Sequence, residues 1–297
     1  MQKFTIRDIE NLTGIKAHTL RVWEQRYGFF QAQRKESMHR FYDNEDLKKL
    51  LRVAFLYHTG WKISRIADLG EEAVLQEVRK AASAGNSQHA SYVIQLIEAA
   101  LDFDEYTFSS LLDTVTEHIG FEDCITQVCY PYLQKIGLLW STNNIIPAQE
   151  HFTSYLIQNR IIRETETIIR KEKQAPELVL FCPRGEHHEL PLLYINYLLK
   201  KNNRGTIFLG PNVELSVLEQ VASLPGIRYI YFHLITNLTG FFLDDYLEQV
   251  CRLFPDKRII ASGVSTWQSQ RSFANLTILR SDKEIHDFIG ANREDKR

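Results

Sequence analysis

Cysteine is scarce in this chain. Four occur in 297 residues, Cys124, Cys129, Cys182 and Cys251, and no two form a C-x-x-C pair. That spacing excludes a disulfide framework and a ribbon-type zinc site, and scattered thiols point to a reducing cytosol. Long apolar runs are missing too, so no segment is expected to span a bilayer. The opening residues, MQKFTIRD, hold no apolar signal core. There is no G-x-G-x-x-G, which removes a dinucleotide site of the usual kind. Net charge is only −2, so the chain as a whole does not announce a nucleic-acid partner. With 44% hydrophobic and 24% charged residues, the composition is that of a soluble globular protein. The length suits two or three domains.

What charge there is lies unevenly. Between residues 16 and 40 stand Lys16, Arg21, Arg26, Arg34, Lys35 and Arg40 against Glu24 and Glu36. A basic patch on a near-neutral chain is the footprint of one DNA-binding module. Just before it, Thr5-Ile6-Arg7-Asp8 has the form of a capping box and predicts a short helix with Ile6, Ile9 and Leu12 on one face. Gly14 ends that helix. A second helix follows with Ala17, Leu20 and Trp23 inward and Lys16, His18, Thr19, Arg21 and Glu24 outward. Two short helices at a Gly-containing turn suit the major groove. Arg26, Tyr27, Arg34, Lys35, Arg40 and Tyr42 then fall in a segment with little helical period, as expected of a basic hairpin laid along phosphates. A helical hairpin with a solvated charged face would give a similar pattern. Asp43 is an N-cap for a helix over 44–57, Gly60 a turn, and 62–69 a short helix.

From 71 to 170 the period is helical throughout, which predicts a small bundle. Helices are expected over 71–84, 87–101, 104–119, 121–139 and from Pro147 to about 170, with a kink at Tyr130-Pro131. Trp140 is followed, after nine residues, by Glu150-His151. Taken alone, a core Trp beside a loop gives the same spacing. Residues 171–176, KEKQAP, form a polar linker. Beyond it, short apolar runs at 178–181, 206–209, 229–234, 258–262 and 276–279 alternate with helical segments. This predicts an α/β, doubly wound parallel sheet of flavodoxin-like kind. Its ligand end would carry 184–188, Gly210-Pro211, 235–237 and Gly263-Val264. No acidic cluster follows the first strand, which argues against a phospho-accepting receiver. The His187-His188 pair reads either as surface or, with Cys182 and Glu189, as a cramped metal site.

Three resemblances lie along the chain. Residues 5–69 resemble the DNA-binding domain of the MerR family of transcription regulators, through Thr5-Ile6, Gly14, Thr19-Leu20-Arg21, Trp23-Glu24, Arg26-Tyr27-Gly28, Arg34 and Arg40-Phe41-Tyr42. Glu186-x-His188-x-x-Pro191 resembles the D/E-x-H-x-x-G motif of cobalamin-binding domains, in which the His ligates cobalt. Trp140-(nine)-Glu150-His151 resembles the W-x9-E-H motif of the helical bundle that caps cobalamin. Together they resemble the CarH, CarA and LitR type of regulator, the light-responsive repressors that use adenosylcobalamin.

That resemblance implies a winged helix-turn-helix head over 1–70, a helical bundle over 71–170 and a Rossmann-like domain over 176–297. It implies DNA contacts at Lys16, His18, Thr19, Arg21, Trp23, Arg26, Tyr27, Arg34, Lys35, Arg40 and Tyr42. It places adenosylcobalamin against Trp140, Glu150, His151, Glu186, His188 and Gly263, with His188 on cobalt. The chain departs from the pattern at Pro191, at Phe232 where the family has Ser, at Ser262 where it has Gly, and at Ser141 where some members have His.

Three functions follow as expectations. The first is a cytoplasmic repressor whose homo-oligomerisation, as a dimer or tetramer through the sensor, and whose affinity for a double-stranded operator are set by cobalamin. The second is a MerR-type regulator with a degenerate pocket that answers to a protein partner or another ligand. The third, a cobalamin-carrying module of an enzyme, lacks residues for a substrate domain.

Overall fold

The computed structural model describes residues 3–28, 33–34, 40–81, 88–141, 147–168, 175–236 and 242–290; for 33–34, 40, 139–141 and 147 it describes the backbone alone. The chain forms two compact units, Met1–Leu156 and Ile157–Arg297.

The first unit begins with α1 (Ile6–Thr13), opened by a reciprocal capping box between Thr5 and Asp8 and closed by Gly14 at φ 71°. The carboxylate of Glu10 then accepts from the backbone N–H of Ala17 and pairs with Lys16, so it supplies the cap that Lys16 does not. These hydrogen bonds and the Lys16 charge hold the Glu10 carboxyl below its ordinary range. α2 (Ala17–Tyr27) buries Leu20 and Trp23 and ends at Gly28. A short antiparallel hairpin pairs β1 (Gln33–Arg34) with β2 (Arg40–Phe41), and Phe4 bridges to Tyr42 through two backbone hydrogen bonds of 2.8 Å. α3 (Asn44–His58) has a second capping box, Asp43 with Asp46. α4 (Ile63–Ala67) and α5 (Glu71–Ala81) follow.

The bundle consists of α6 (Gln88–Leu101), α7 (Glu105–Ile119), a three-residue turn α8 (Phe121–Asp123), α9 (Tyr130–Ser141) and α10 (Pro147–Glu166). Between α8 and α9 the chain makes a π-helix, Cys124–Cys129, with Cys124, Ile125, Val128 and Cys129 buried. The irregularity expected at Tyr130-Pro131 therefore lies one turn earlier. Pro131 has no N–H to give, and the widened turn is closed instead by Tyr130 N–H on the carbonyl of Ile125. The helical head and the bundle share contacts along α3. Arg52 makes two hydrogen bonds to the Glu98 carboxylate at 2.7 and 2.8 Å, Lys48 meets both oxygens of Asp102 at 2.7 Å, and Lys135 of α9 donates to the carbonyl of Leu12 at 3.0 Å.

The second unit holds a five-stranded parallel sheet with β3 (Leu178–Pro183), β4 (Thr206–Val213), β5 (Tyr229–His233), β6 (Arg258–Ser262) and β7 (Leu276–Leu279) in the order β4-β3-β5-β6-β7. That is the flavodoxin-like order, with the topological switch between β3 and β5. Val179, Phe181, Ile230, Phe232 and Ile259 form its core with Leu218, Tyr246 and Leu247. The last three come from α12 (Leu215–Ala222) and α13 (Leu243–Leu253). α11 (Leu190–Lys201) and α14 (Asp282–Gly290) complete the set. Gly210-Pro211, expected in a loop, lies inside β4, where two register shifts against β3 accommodate it. A 3-10 turn, Val264–Gln268, follows β6.

Candidate cofactor-ligating and DNA-reading sites

In open α/β sheets, ligands sit beyond the carboxyl ends of the strands at the switch point. Glu186 stands there, in the loop after β3, with 0% exposure. Its carboxylate is shared between two segments of the chain. One oxygen accepts from the backbone N–H of His188 at 2.9 Å and from His188 Nδ1 at 2.7 Å. The other accepts from the N–H groups of Ile235 and Thr236, both at 2.8 Å, and from the Thr236 hydroxyl at 3.1 Å. Ile235 and Thr236 follow β5, so a single side chain ties together the two loops that flank the switch point. Burial opposes the charged form. The hydrogen bonds from His188, Thr236 and Ile235 outweigh it and hold the carboxyl well below the usual range.

The consequence falls on His188. A carboxylate only accepts, so Nδ1 carries the proton and the lone pair of the neutral ring resides on Nε2. The side chain is 52% exposed while its Nδ1 is fixed. A metal-ligating imidazole is commonly held this way, with the outer carboxylate setting its tautomer and aim. The donor set fits the cobalt of a corrin, which asks one ligand of the protein. It does not fit a bare zinc ion: among the described residues no group of three or more His, Cys, Asp or Glu could hold one. Cys182 is buried, and burial raises its thiol pKa far above ordinary values.

The loop is further held by Asn212, which sits at φ 58°, accepts from Gly185 N–H at 2.9 Å and donates its own N–H to the carbonyl of Glu186 at 3.1 Å. Sequence reasoning missed this residue, although an Asn after Gly-Pro is a turn signal and Asn tolerates the left-handed region.

Two departures from the cobalamin-binding pattern take structural roles. Phe232 is fully buried between Phe181 and Tyr246. Ser262 accepts from the Tyr231 hydroxyl and meets His233 Nδ1, each at 2.8 Å. His233 is buried, and that burial pushes its pKa down to about 4. Gly263, at φ 99°, brings its backbone against Leu234, where a Cβ would collide with the Leu234 carbonyl. Its glycine is required by that close approach.

In the first unit, the last turn of α9 and the first turn of α10 carry the Trp-Glu-His spacing. Trp140 lies in the last turn of α9, its side chain outside the described residues. Glu150 is half-buried, accepts from Ser154 at 2.7 Å and meets His151 Nδ1 at 3.2 Å. His151 is 78% exposed. Gln149 donates to the carbonyls of Ala100 and Leu101, and Thr153 accepts from the buried Tyr132 hydroxyl at 2.7 Å. The first turn of α10 is thus anchored on both sides of Glu150.

On α2 the expected DNA residues separate. His18, Arg21 and Arg26 are exposed, Thr19 and Tyr27 partly so. Thr19 meets His18 Nε2 at 3.3 Å, and the Arg26 guanidinium lies over the Tyr27 ring. Trp23 and Tyr42 are buried, which corrects their assignment to the DNA-facing surface. Trp23 packs edge-on against Tyr57 at 4.9 Å, and Tyr42 pairs with Phe4 in the floor of the head. Both are large rings that a small domain needs for its core. Lys16 is engaged by Glu10. Arg34 and Arg40 face each other in the hairpin register, and Lys35 lies outside the described residues.

Comparisons with known proteins agree with this anatomy. Residues 4–72 match the model of the MerR HTH family regulatory proteins, and residues 93–162 that of a B12 binding domain. The HTH-type transcriptional repressor CarA of Myxococcus xanthus is 30% identical over 217 residues, 72% of this chain and 70% of CarA. The repressor CarH of the same organism is 26% identical over 299 residues, 99% of this chain and 97% of CarH. The monomethylamine corrinoid protein of Methanosarcina barkeri aligns with a TM-score of 0.54 at 16% identity, over 66% of this chain and 96% of that one, a likeness of fold. With a helix-turn-helix head, a B12-binding region and a parallel five-stranded sheet in one chain, the protein belongs to the MerR-type transcription regulators of the CarA and CarH kind.

Proposed function

We propose that this regulator is a repressor whose assembly and grip on DNA are set by adenosylcobalamin and reversed by light. The observation that carries the reading is the exposed His188 ring held at Nδ1 by a buried carboxylate. When bound, adenosylcobalamin would supply a cobalt that takes an imidazole ligand and a carbon–cobalt bond that light cleaves. His188 would hold the cobalt through Nε2, and Glu186, by accepting from Nδ1, would fix the ring's tautomer and aim. Trp140, Glu150 and His151 would hold the adenosyl group: the indole offers a flat apolar face, the carboxylate would accept from hydroxyls, and His151 is the imidazole nearest in sequence, since residue 141 is Ser. Residues 1–70 read DNA, 71–170 act as the cap and 176–297 hold the cofactor, all in the cytoplasm.

The DNA contacts we assign are His18, Thr19, Arg21, Arg26 and Tyr27 from α2, with Lys16, Arg34, Lys35 and Arg40 toward phosphates. One head meets half a site, so two or four copies brought together bind far more tightly than one. A ligand with higher affinity for the assembled form shifts the chain toward it.

The test is absorbance of protein purified with adenosylcobalamin, followed by size exclusion in the dark and after illumination. Cofactor should co-elute with the wild type and with His187→Ala, and be lost or greatly reduced in His188→Ala. Equal loss in both variants points to a metal site built from the pair. An unchanged elution volume in light and dark, also in Trp140→Ala, favours the second reading, a cofactor-independent regulator. Phe232 filling the core where the pattern has a small Ser speaks for that reading.

A further inference from the structure

The recognition helix carries a residue that the motifs do not mark. Val22 is 51% exposed on α2. At about 100° per residue, the exposed side chains of α2 form one arc, with His18, Val22 and Gln25 at its centre. Arg21 and Arg26 stand at its edges, about 140° apart by the same rotation. Leu20 and Trp23 occupy the opposite, buried side. The arc is therefore cationic at the rim and uncharged in the middle. Phosphates flank a groove and base edges line its floor, so the rim matches phosphates and the centre matches bases.

An apolar, β-branched side chain at that centre gains nothing for the helix. Valine is a poorer helix former than alanine, and it here leaves its methyl groups in water. Its chemistry limits what it can meet. The 5-methyl of thymine is the apolar group that base edges present in the major groove; the other edges are hydrogen-bond donors and acceptors. Gln25, one turn on, is a neighbour suited to a base edge. We infer that Val22 sets sequence specificity by packing against a thymine methyl at the middle of the half-site. This rests on the reading of α2 as the DNA-reading helix, and the test separates the two.

Full-length protein, loaded with adenosylcobalamin in the dark, is used to select binding sites from a random-sequence duplex library. Each thymine of the recovered site is then replaced singly by uracil, which removes only the methyl. One position should lower wild-type affinity about four-fold, the worth of one buried methyl. In Val22→Ala that position should lose its preference for thymine over uracil, while the other positions keep theirs. Because alanine favours the helix, weakening in this variant is not a folding loss; the unfolding midpoint checks that. Arg21→Ala should weaken binding without erasing the thymine preference. If Arg21→Ala weakens binding but Val22→Ala leaves every thymine-to-uracil ratio unchanged, the Val22 assignment falls and the DNA-reading helix stands. If no site is recovered, or Arg21→Ala binds as the wild type does, both fall.

Discussion

At the scale of single residues, the second unit concentrates its buried polar chemistry at the ends of β5 and β6. His233 is neutral in the fold because burial pushes its pKa from 6.5 down to about 4. In the unfolded chain it titrates at the ordinary value, so below about pH 6.5 the unfolded state binds the extra proton. Stability should thus be level above pH 7 and fall as pH drops from about 6.5 to 4, by on the order of 3 kcal/mol. His233→Gln should flatten that window in thermal unfolding followed across pH, and an unaltered slope would refute it. Glu186 is shifted in the same direction, downward, but for a carboxyl this favours the charged form in the fold. Its lowered pKa contributes stability above about pH 4.5 that is lost as acid protonates it. The two windows are separable because His233→Gln leaves the lower one in place. Neither residue's burial was legible from its spacing. Glu186 could be marked from motif resemblance, but its anchors, Ile235 and Thr236, lie about fifty residues away and meet it only once β3 and β5 pair.

At the scale of elements, the sequence was most legible where local chemistry decides. The capping box at Thr5, the N-cap at Asp43 and the glycine stop at 14 fall where the spacing puts them. Five strands in parallel α/β alternation follow from their short apolar runs, whereas the bulged extension of β4 through Gly210-Pro211 does not, since only pairing with β3 carries it on. The π-helix was hidden for a similar reason: Pro131 marks an irregularity, but which turn widens depends on the burial of Cys124, Ile125, Val128 and Cys129. The elements that hold the Glu150 turn are equally non-local. Tyr132→Phe removes the hydroxyl that Thr153 accepts and should cost about 1 kcal/mol in denaturant unfolding while leaving helix content unchanged. The β1–β2 hairpin makes a different prediction. If Arg40 holds phosphate, Arg40→Ala should weaken binding to all sequences alike and lower the slope of log affinity against log salt by about 1. An unchanged slope would remove the wing from the interface.

At the scale of the whole molecule, no helix among the described residues is long and apolar enough to cross a membrane. The first unit runs to Leu156, well past the DNA-reading head. Its α3 offers Lys48 and Arg52, two cations largely withdrawn from solvent, to Asp102 and Glu98 of the bundle. Arg52 sits where burial opposes its charge and the Glu98 hydrogen bonds restore it. Lys135 reaches back from α9 to the last turn of α1, and burial lowers its pKa. Cutting the chain at residue 70 would leave Arg52 and Lys48 without Glu98 and Asp102, and α3 without its cover. A fragment of residues 1–70 should therefore unfold at a lower temperature than one of residues 1–156; equal midpoints would deny the bundle any part in supporting the head. For recombination between related regulators, the piece that can be exchanged is then longer than the piece that touches DNA. A crossover at residue 70 separates cations from the carboxylates that match them, whereas one beyond Leu156 carries both sides of every such pair into the new chain.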